Sequence, residues 1–145
     1  MSATKKLEII VERDGDKIWG RVNVHDNLLV TSSRSLPTLE KKIRKLILDI
    51  EGLDRVEFEY AYDLTMFFEQ FDFLNQSKIA AIAGLHPSLV RQYSTGYKHP
   101  SRDQVQKIER AIRSLGKSMQ SVRLSSKLAA NRPKAPKRAI AKTNG

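Results

Sequence analysis

Four carboxylates carry the most obvious chemical potential in the first sixty residues: Glu8 and Glu12 near the start, Glu57 and Glu59 near the end. Each pair sits at strand spacing, so all four share one sheet face if the first and last strands are neighbours. Paired carboxylates can hold a divalent metal for nuclease work. More often such a row is the wet side of a half-buried sheet, and a third use is docking a basic protein. His25, His86 and His99 fall in turns without metal-ligand spacing, so no metal site is expected. No serine sits in a glycine-rich elbow and no phosphate-binding glycine loop occurs. With no cysteine in the chain, thiolate metal sites, disulfides and thiol redox chemistry are excluded. The expectation is a protein that is not an enzyme and needs no cofactor.

Charge divides the 145 residues unevenly. Residues 1–60 hold 11 basic and 11 acidic side chains, residues 61–124 hold 9 and 5, and residues 125–145 hold 6 and 0, giving a net charge of +10. A neutral front with a basic middle and end points to one part built for proteins and another for polyanions. No apolar run approaches the roughly 18–20 residues that cross a bilayer, and MSATKKLEII has no signal-type apolar core. A cytoplasmic protein with no membrane partner is expected.

The elements that must position these residues read as follows. Leu7, Ile9 and Val11 alternate with Glu8, Ile10 and Glu12, which is strand spacing. Asp14-Gly15-Asp16 supplies a turn into a returning strand at Ile18–Val22, and a third short strand is expected at Leu28–Thr31. A helix follows, with Thr38 as its expected N-cap and Gly52 as its stop. Leu39, Ile43, Leu46, Ile47 and Ile50 give it one apolar stripe. Val56, Phe58, Tyr60 and Tyr62 then alternate with Glu57 and Glu59 in the clearest strand of the chain.

From Leu64 the period becomes helical. Leu64, Phe67, Phe68, Phe71 and Leu74 form a stripe that Asn75-Gln76-Ser77 breaks. A short helix is predicted at Lys78–Ala83, with Gly84 free to take the left-handed backbone that reverses the chain. A second short helix opens at Pro87, where the missing N–H costs nothing, and stops at Gly96. Leu85, Val90 and Tyr93 should face inward, leaving Ser88, Arg91 and Gln92 outward. A longer helix after His99-Pro100-Ser101 places Val105, Ile108, Ile112, Leu115 and Met119 on one face; Ser121–Leu124 reads either as its end or as a short strand.

The run from Gln76 through Ala80, Gly84-Leu85, Ser88, Val90 and Gly96-Tyr97-Lys98-His99-Pro100-Ser101 resembles the helix-turn-helix of the Cro/C1-type phage repressors. The resemblance covers about residues 64–119. It implies that residues 87–95 form the recognition helix in the major groove, with Ser88, Arg91 and Gln92 at reading positions and Thr95 among the DNA-binding residues. Arg grips guanine and Gln grips adenine in bidentate fashion. Gln76 matches a position that holds a phosphate, Lys98 matches a loop position that meets backbone or bases, and His86 lies at the turn, near a phosphate or as a cap. Pro87 stands where many relatives carry a hydrogen-bonding side chain.

Taken with the β-β-β-α-β order before it, the chain resembles the HicB-family antitoxins that carry a repressor-type second domain. The carrying segments are Leu7–Val11, Asp14–Val22, Ser35–Glu40, Val56–Asp63 and the motif above. The implied fold class is α+β: a HicB-like domain over residues 1–63, a helix-turn-helix domain over 64–124, and a basic tail over 125–145 that holds too little apolar surface to fold alone. The resemblance implies that Glu8, Glu12, Glu57 and Glu59 face a small basic toxin of the HicA type. It further implies that the second domain represses an operon from double-stranded DNA as a homodimer or higher oligomer. Asn23–Leu28 departs from the Pro/Gly-containing loop usual in that family, which keeps open a stand-alone regulator with no toxin partner.

Overall fold

A computed structural model describes residues 3–126. β1 (Lys5–Asp14) buries Leu7, Ile9 and Val11 on one face, as strand alternation demands. It turns through Gly15-Asp16 into β2 (Lys17–Val24), with Gly15 at φ 63° and Asp14 opposite Lys17. A second two-residue turn, His25-Asp26, leads into β3 (Asn27–Ser33). Here a non-glycine residue, His25, takes the left-handed backbone at φ 55°. Its Nδ1 lies 2.5 Å from a Glu51 carboxylate oxygen, and Asn27 donates to the other oxygen at 2.6 Å. These contacts hold the hairpin tip and offset the conformational cost.

α1 (Leu36–Glu51) starts three residues earlier than expected. Ser35, not Thr38, is the N-cap, and its Oγ accepts the Thr38 N–H at 3.4 Å. Pro37 is tolerated in the first turn because its missing N–H has no helical partner there. Gly52 ends the helix in the left-handed region with its N–H on Leu48 C=O, as the sequence indicates. Leu39, Ile43 and Ile47 are buried, whereas Ile50, inside the expected stripe, is 55% exposed.

β4 (Val56–Tyr62) pairs in parallel with β1, giving a mixed four-stranded sheet of order β3-β2-β1-β4. One sheet face and α1 enclose the first apolar core, from Leu7 to Val56. Gly20 marks their closest approach: a Cβ there would lie 2.7 Å from Ile43 Cδ1 and 3.0 Å from Leu39 Cδ2. Arg44 fastens α1 to β4, donating to Val56 C=O at 2.7 Å and lying 4.7 Å over the Phe58 ring. Tyr60 donates to Glu40 alongside. That hydrogen bond, with Arg44 behind it, holds the Glu40 carboxyl below its usual range, while burial raises the Tyr60 phenol.

α2 (Leu64–Gln70) follows at once, capped by Asp63, which accepts from Met66 N–H at 2.8 Å and from Arg13 N–H at 3.1 Å. Arg13 also pairs with Glu69. The helix is apolar on two sides. Met66 is buried in the sheet-side core, whereas Leu64 and Phe68 enter a second core. That core is completed by α3 (Gln76–Ala83), α4 (Pro87–Ser94) and α5 (Arg102–Gln120) through Ile79, Ala80, Val90, Tyr93, Ile108 and Ala111. On α5, Ala111 is buried while Val105 and Met119, expected inward, are exposed. Ser121–Leu124 is neither helix nor strand beyond a turn at Ser121.

The architecture of the described residues is therefore α+β, with four strands and five helices. The chain divides into two compact units between Arg113 and Ser114, within α5, and both cores belong to the first. No helix among the described residues is long and apolar enough to cross a membrane. The basic tail from Lys127 onward lies outside the described residues.

Candidate nucleic-acid interface

α3 begins two residues earlier than its pattern indicates, because Asn75 caps it by accepting the Lys78 N–H at 3.1 Å. Gln76 therefore belongs to its first turn. Gly84, at φ 74°, closes α3, and Leu85 N–H returns to Ala80 C=O at 2.9 Å. Ala80 is fully buried where α3 meets α4, so no side chain holds the two helices apart. His86 is the N-cap of α4 and Pro87 its first residue. Three contacts fix the far end of α4. Ser94 Oγ donates to Gln76 Oε1 at 3.1 Å, Thr65 Oγ1 of α2 donates to Tyr93 C=O at 3.1 Å, and Lys98 N–H donates to Gln92 C=O at 3.2 Å.

This bracing rotates α4 so that Val90 and Tyr93 are buried while Ser88, Arg91 and Thr95 are exposed. Ser88, Arg91, Gln92 and Thr95 stand at i, i+3, i+4 and i+7, one stripe along the helix. Gln92 is half-buried at the edge of that stripe, and Pro87 is half-buried too. Thr95 is the C-cap, its hydroxyl donating to Gln92 C=O at 3.2 Å. Gln76 is half-buried and braces α3 against α4 through Ser94. Lys98 is exposed in the loop that folds back on α4. His86 Nδ1 accepts the Ser88 N–H at 3.2 Å and lies 2.7 Å from Ser88 Oγ, so it caps.

From Phe73 to Arg102 the chain has four basic residues (Lys78, Arg91, Lys98 and Arg102) and no acidic one. All four are exposed, and none forms an ion pair among the described residues. Such cations have their full charge available for a polyanion. Sequence reasoning passed over Thr65 and Ser94, whose hydroxyls brace α4, and gave no contact role to Tyr97, an exposed ring between Gly96 and Lys98. Single hydroxyls in polar stretches give no periodic signal. Tyr97 was legible as an aromatic in a glycine-flanked loop.

The second set of residues lies on the open face of the sheet. β1 and β4 are neighbours, with Glu8 directly opposite Glu59 and Lys6 opposite Glu57. Glu12 is ion-paired with Arg21 at 3.0 Å. The four acids share one face, but Lys6 and Arg21 temper two of them, and the uncompensated charge concentrates at Glu8 and Glu59. On the β2–β3 half of the same face three apolar side chains, Trp19, Val30 and Leu28, are 38%, 47% and 57% exposed, with Arg21 opposite Val30 and Asn23 opposite Leu28. Sequence alternation carried that signal, since Ile18, Gly20 and Val22 are buried and turn Trp19 outward. No three acidic or histidine side chains converge as a metal-binding group among the described residues. No family model, no curated protein and no solved structure matches this chain.

Proposed function

We propose that the chain is a sequence-specific DNA-binding regulator in which α3 and α4 act as a helix-turn-helix of the Cro/C1 type. α4 enters the major groove, Arg91 and Gln92 address base edges, and Lys98, Lys78 and Gln76 address phosphates. The observation that carries this reading is the stripe on α4. Hydrogen-bonding and cationic side chains line the outer side of a short helix whose opposite side is buried and whose two ends are fixed. Such rigidity matters, because base contacts need side chains held in register with a groove. A single α4 spans too few base pairs for tight specificity, so the regulator works as a homodimer or higher oligomer on two-fold sites.

The β-β-β-α-β portion supports the fuller proposal of a HicB-like antitoxin that autorepresses its operon. Its open sheet face would take a small basic toxin of the HicA type, with Glu8 and Glu59 as the electrostatic contacts. The tight His25-Asp26 hairpin, in place of a longer Pro/Gly loop, favours a second reading as a stand-alone regulator. Selection from randomised duplexes followed by salt titration tests the DNA reading. A two-fold consensus, with affinity falling steeply as salt rises, is expected. Absence of any preferred sequence overturns it. Co-purification at native expression separates the two regulator readings: a small cationic protein accompanies the antitoxin and not the stand-alone form.

A further inference from the structure

The contact between His86 and Ser88 fixes more than a helix start. A backbone N–H is always a donor, and that of Ser88 points at His86 Nδ1 from 3.2 Å. Nδ1 must therefore be the lone-pair nitrogen, which places the ring proton on Nε2. Ser88 Oγ lies 2.7 Å from that same Nδ1. Facing a nitrogen without a proton, the hydroxyl can only donate, and the single Nδ1 lone pair is then shared between the backbone N–H and the hydroxyl. Its one hydrogen is then committed inside the protein, and two lone pairs remain for whatever lies outside.

We infer that Ser88 is an acceptor-only reader of base edges and that His86 is the positioning residue that makes it so. The inference rests on the DNA-binding reading of α4 and deepens it. A free serine hydroxyl turns to suit either a donor or an acceptor and discriminates poorly. With its proton held by His86, Ser88 favours bases that present an amino group in the major groove, adenine through N6 and cytosine through N4. It disfavours thymine and guanine, whose O4 and O6 only accept. Ser88 is exposed, so this face is open to a duplex. The chemistry selected is an exocyclic amino group at one base pair in each half-site.

The test is duplex selection with the full chain and three variants, paired with nitrogen NMR of the imidazoles in the free protein. Ser88→Ala identifies the base pair concerned by relaxing preference there alone. His86→Ala releases the Ser88 proton and should erode the preference for adenine or cytosine at that same pair by about two- to tenfold, the range of one net hydrogen bond. His86→Asn supplies a carbonyl acceptor in a favoured capping residue and should restore it. In the Ser88→Ala background, His86→Ala should leave that base pair's profile unchanged. The NMR should show Nε2 protonated and Nδ1 bare in the neutral imidazole. A proton on Nδ1, or a His86→Ala variant that weakens all sequences equally with its base profile intact, overturns the inference while leaving DNA binding in place. Failure of the parent chain to select any sequence overturns the DNA reading and this inference with it.

Discussion

Met66 offers a sharp test of how α2 is built into the molecule. Its side chain is fully buried in the sheet-side core, while Leu64 and Phe68, two residues either side, enter the helical core. Met66→Ala removes three heavy atoms beyond Cβ. At about 0.8 kcal/mol per buried methylene-sized group, the transfer loss alone is about 2.4 kcal/mol. A residual cavity brings the expected cost to about 2–4 kcal/mol, or about 8–16 °C in Tm for a chain of this size. Met66→Leu keeps the volume and should cost less than about 1.5 kcal/mol. Urea unfolding should be followed by two probes at once. Fluorescence of the single tryptophan, Trp19 in β2, reports the sheet, and far-UV dichroism is dominated by the helices. Because α2 serves both cores, both signals should move to lower urea together. A loss below about 0.5 kcal/mol, or a tryptophan transition that shifts while the helical signal stays put, refutes this account of α2.

Gly20→Val should cost at least about 1–3 kcal/mol by overpacking against Ile43 and Leu39, and a calorimetric Tm equal to that of the parent would contradict the close approach of α1. Asp63→Ala deprives Met66 and Arg13 N–H of their acceptor and should cost about 0.5–2 kcal/mol, whereas Asp63→Asn keeps the cap. Burial raises the Asp63 pKa, so the native state holds this proton more tightly than the unfolded chain. Its contribution is fully present below the ordinary value of 3.8 and is lost as pH rises through the raised one. Stability of the parent minus that of Asp63→Asn should therefore fall across that window; a flat difference refutes the assignment. On DNA, Arg91→Ala should cost about 1–3 kcal/mol and relax one base pair, while Lys98→Ala should weaken all sequences alike and reduce the salt slope by about 1. Unchanged discrimination in Arg91→Ala would show the register of α4 to be wrong.

Much of the fold is legible in the chain because its periods are clean. Leu7-Ile9-Val11 and Val56-Phe58-Tyr60 alternate, and Leu39-Ile43-Ile47 recur at helical spacing, so strands, helix and buried faces follow from local pattern. What stays hidden is decided by partners distant in sequence. Ile50 lies only about 20° around the helix from Leu39, inside the stripe, so its exposure depends on how far the covering layer reaches. The parallel pairing of β1 with β4 joins residues about fifty positions apart, beyond any local signal. Thr38 and Ser35 are equally good caps by type, and the choice between them rests on backbone conformation. At the candidate interface the exposure of Ser88 and Arg91 was legible, because Val90 and Tyr93 point the other way. The bracing by Thr65 and Ser94 was not, and for His86 the sequence left a phosphate contact and a cap both open, of which the structure shows the cap.

The double-sided burial of α2 has a practical corollary for anyone wishing to handle the two portions separately. A cut after Tyr62 leaves the strands without Met66, which plugs their core, and gives the helical piece a bare thioether on its surface. It also takes from the strands Asp63, whose carboxylate accepts the Arg13 N–H. Either fragment would present sticky hydrocarbon to solvent. A cleaner division would keep residues 63–71 with the strands and supply the helical portion with its own copy of the same segment.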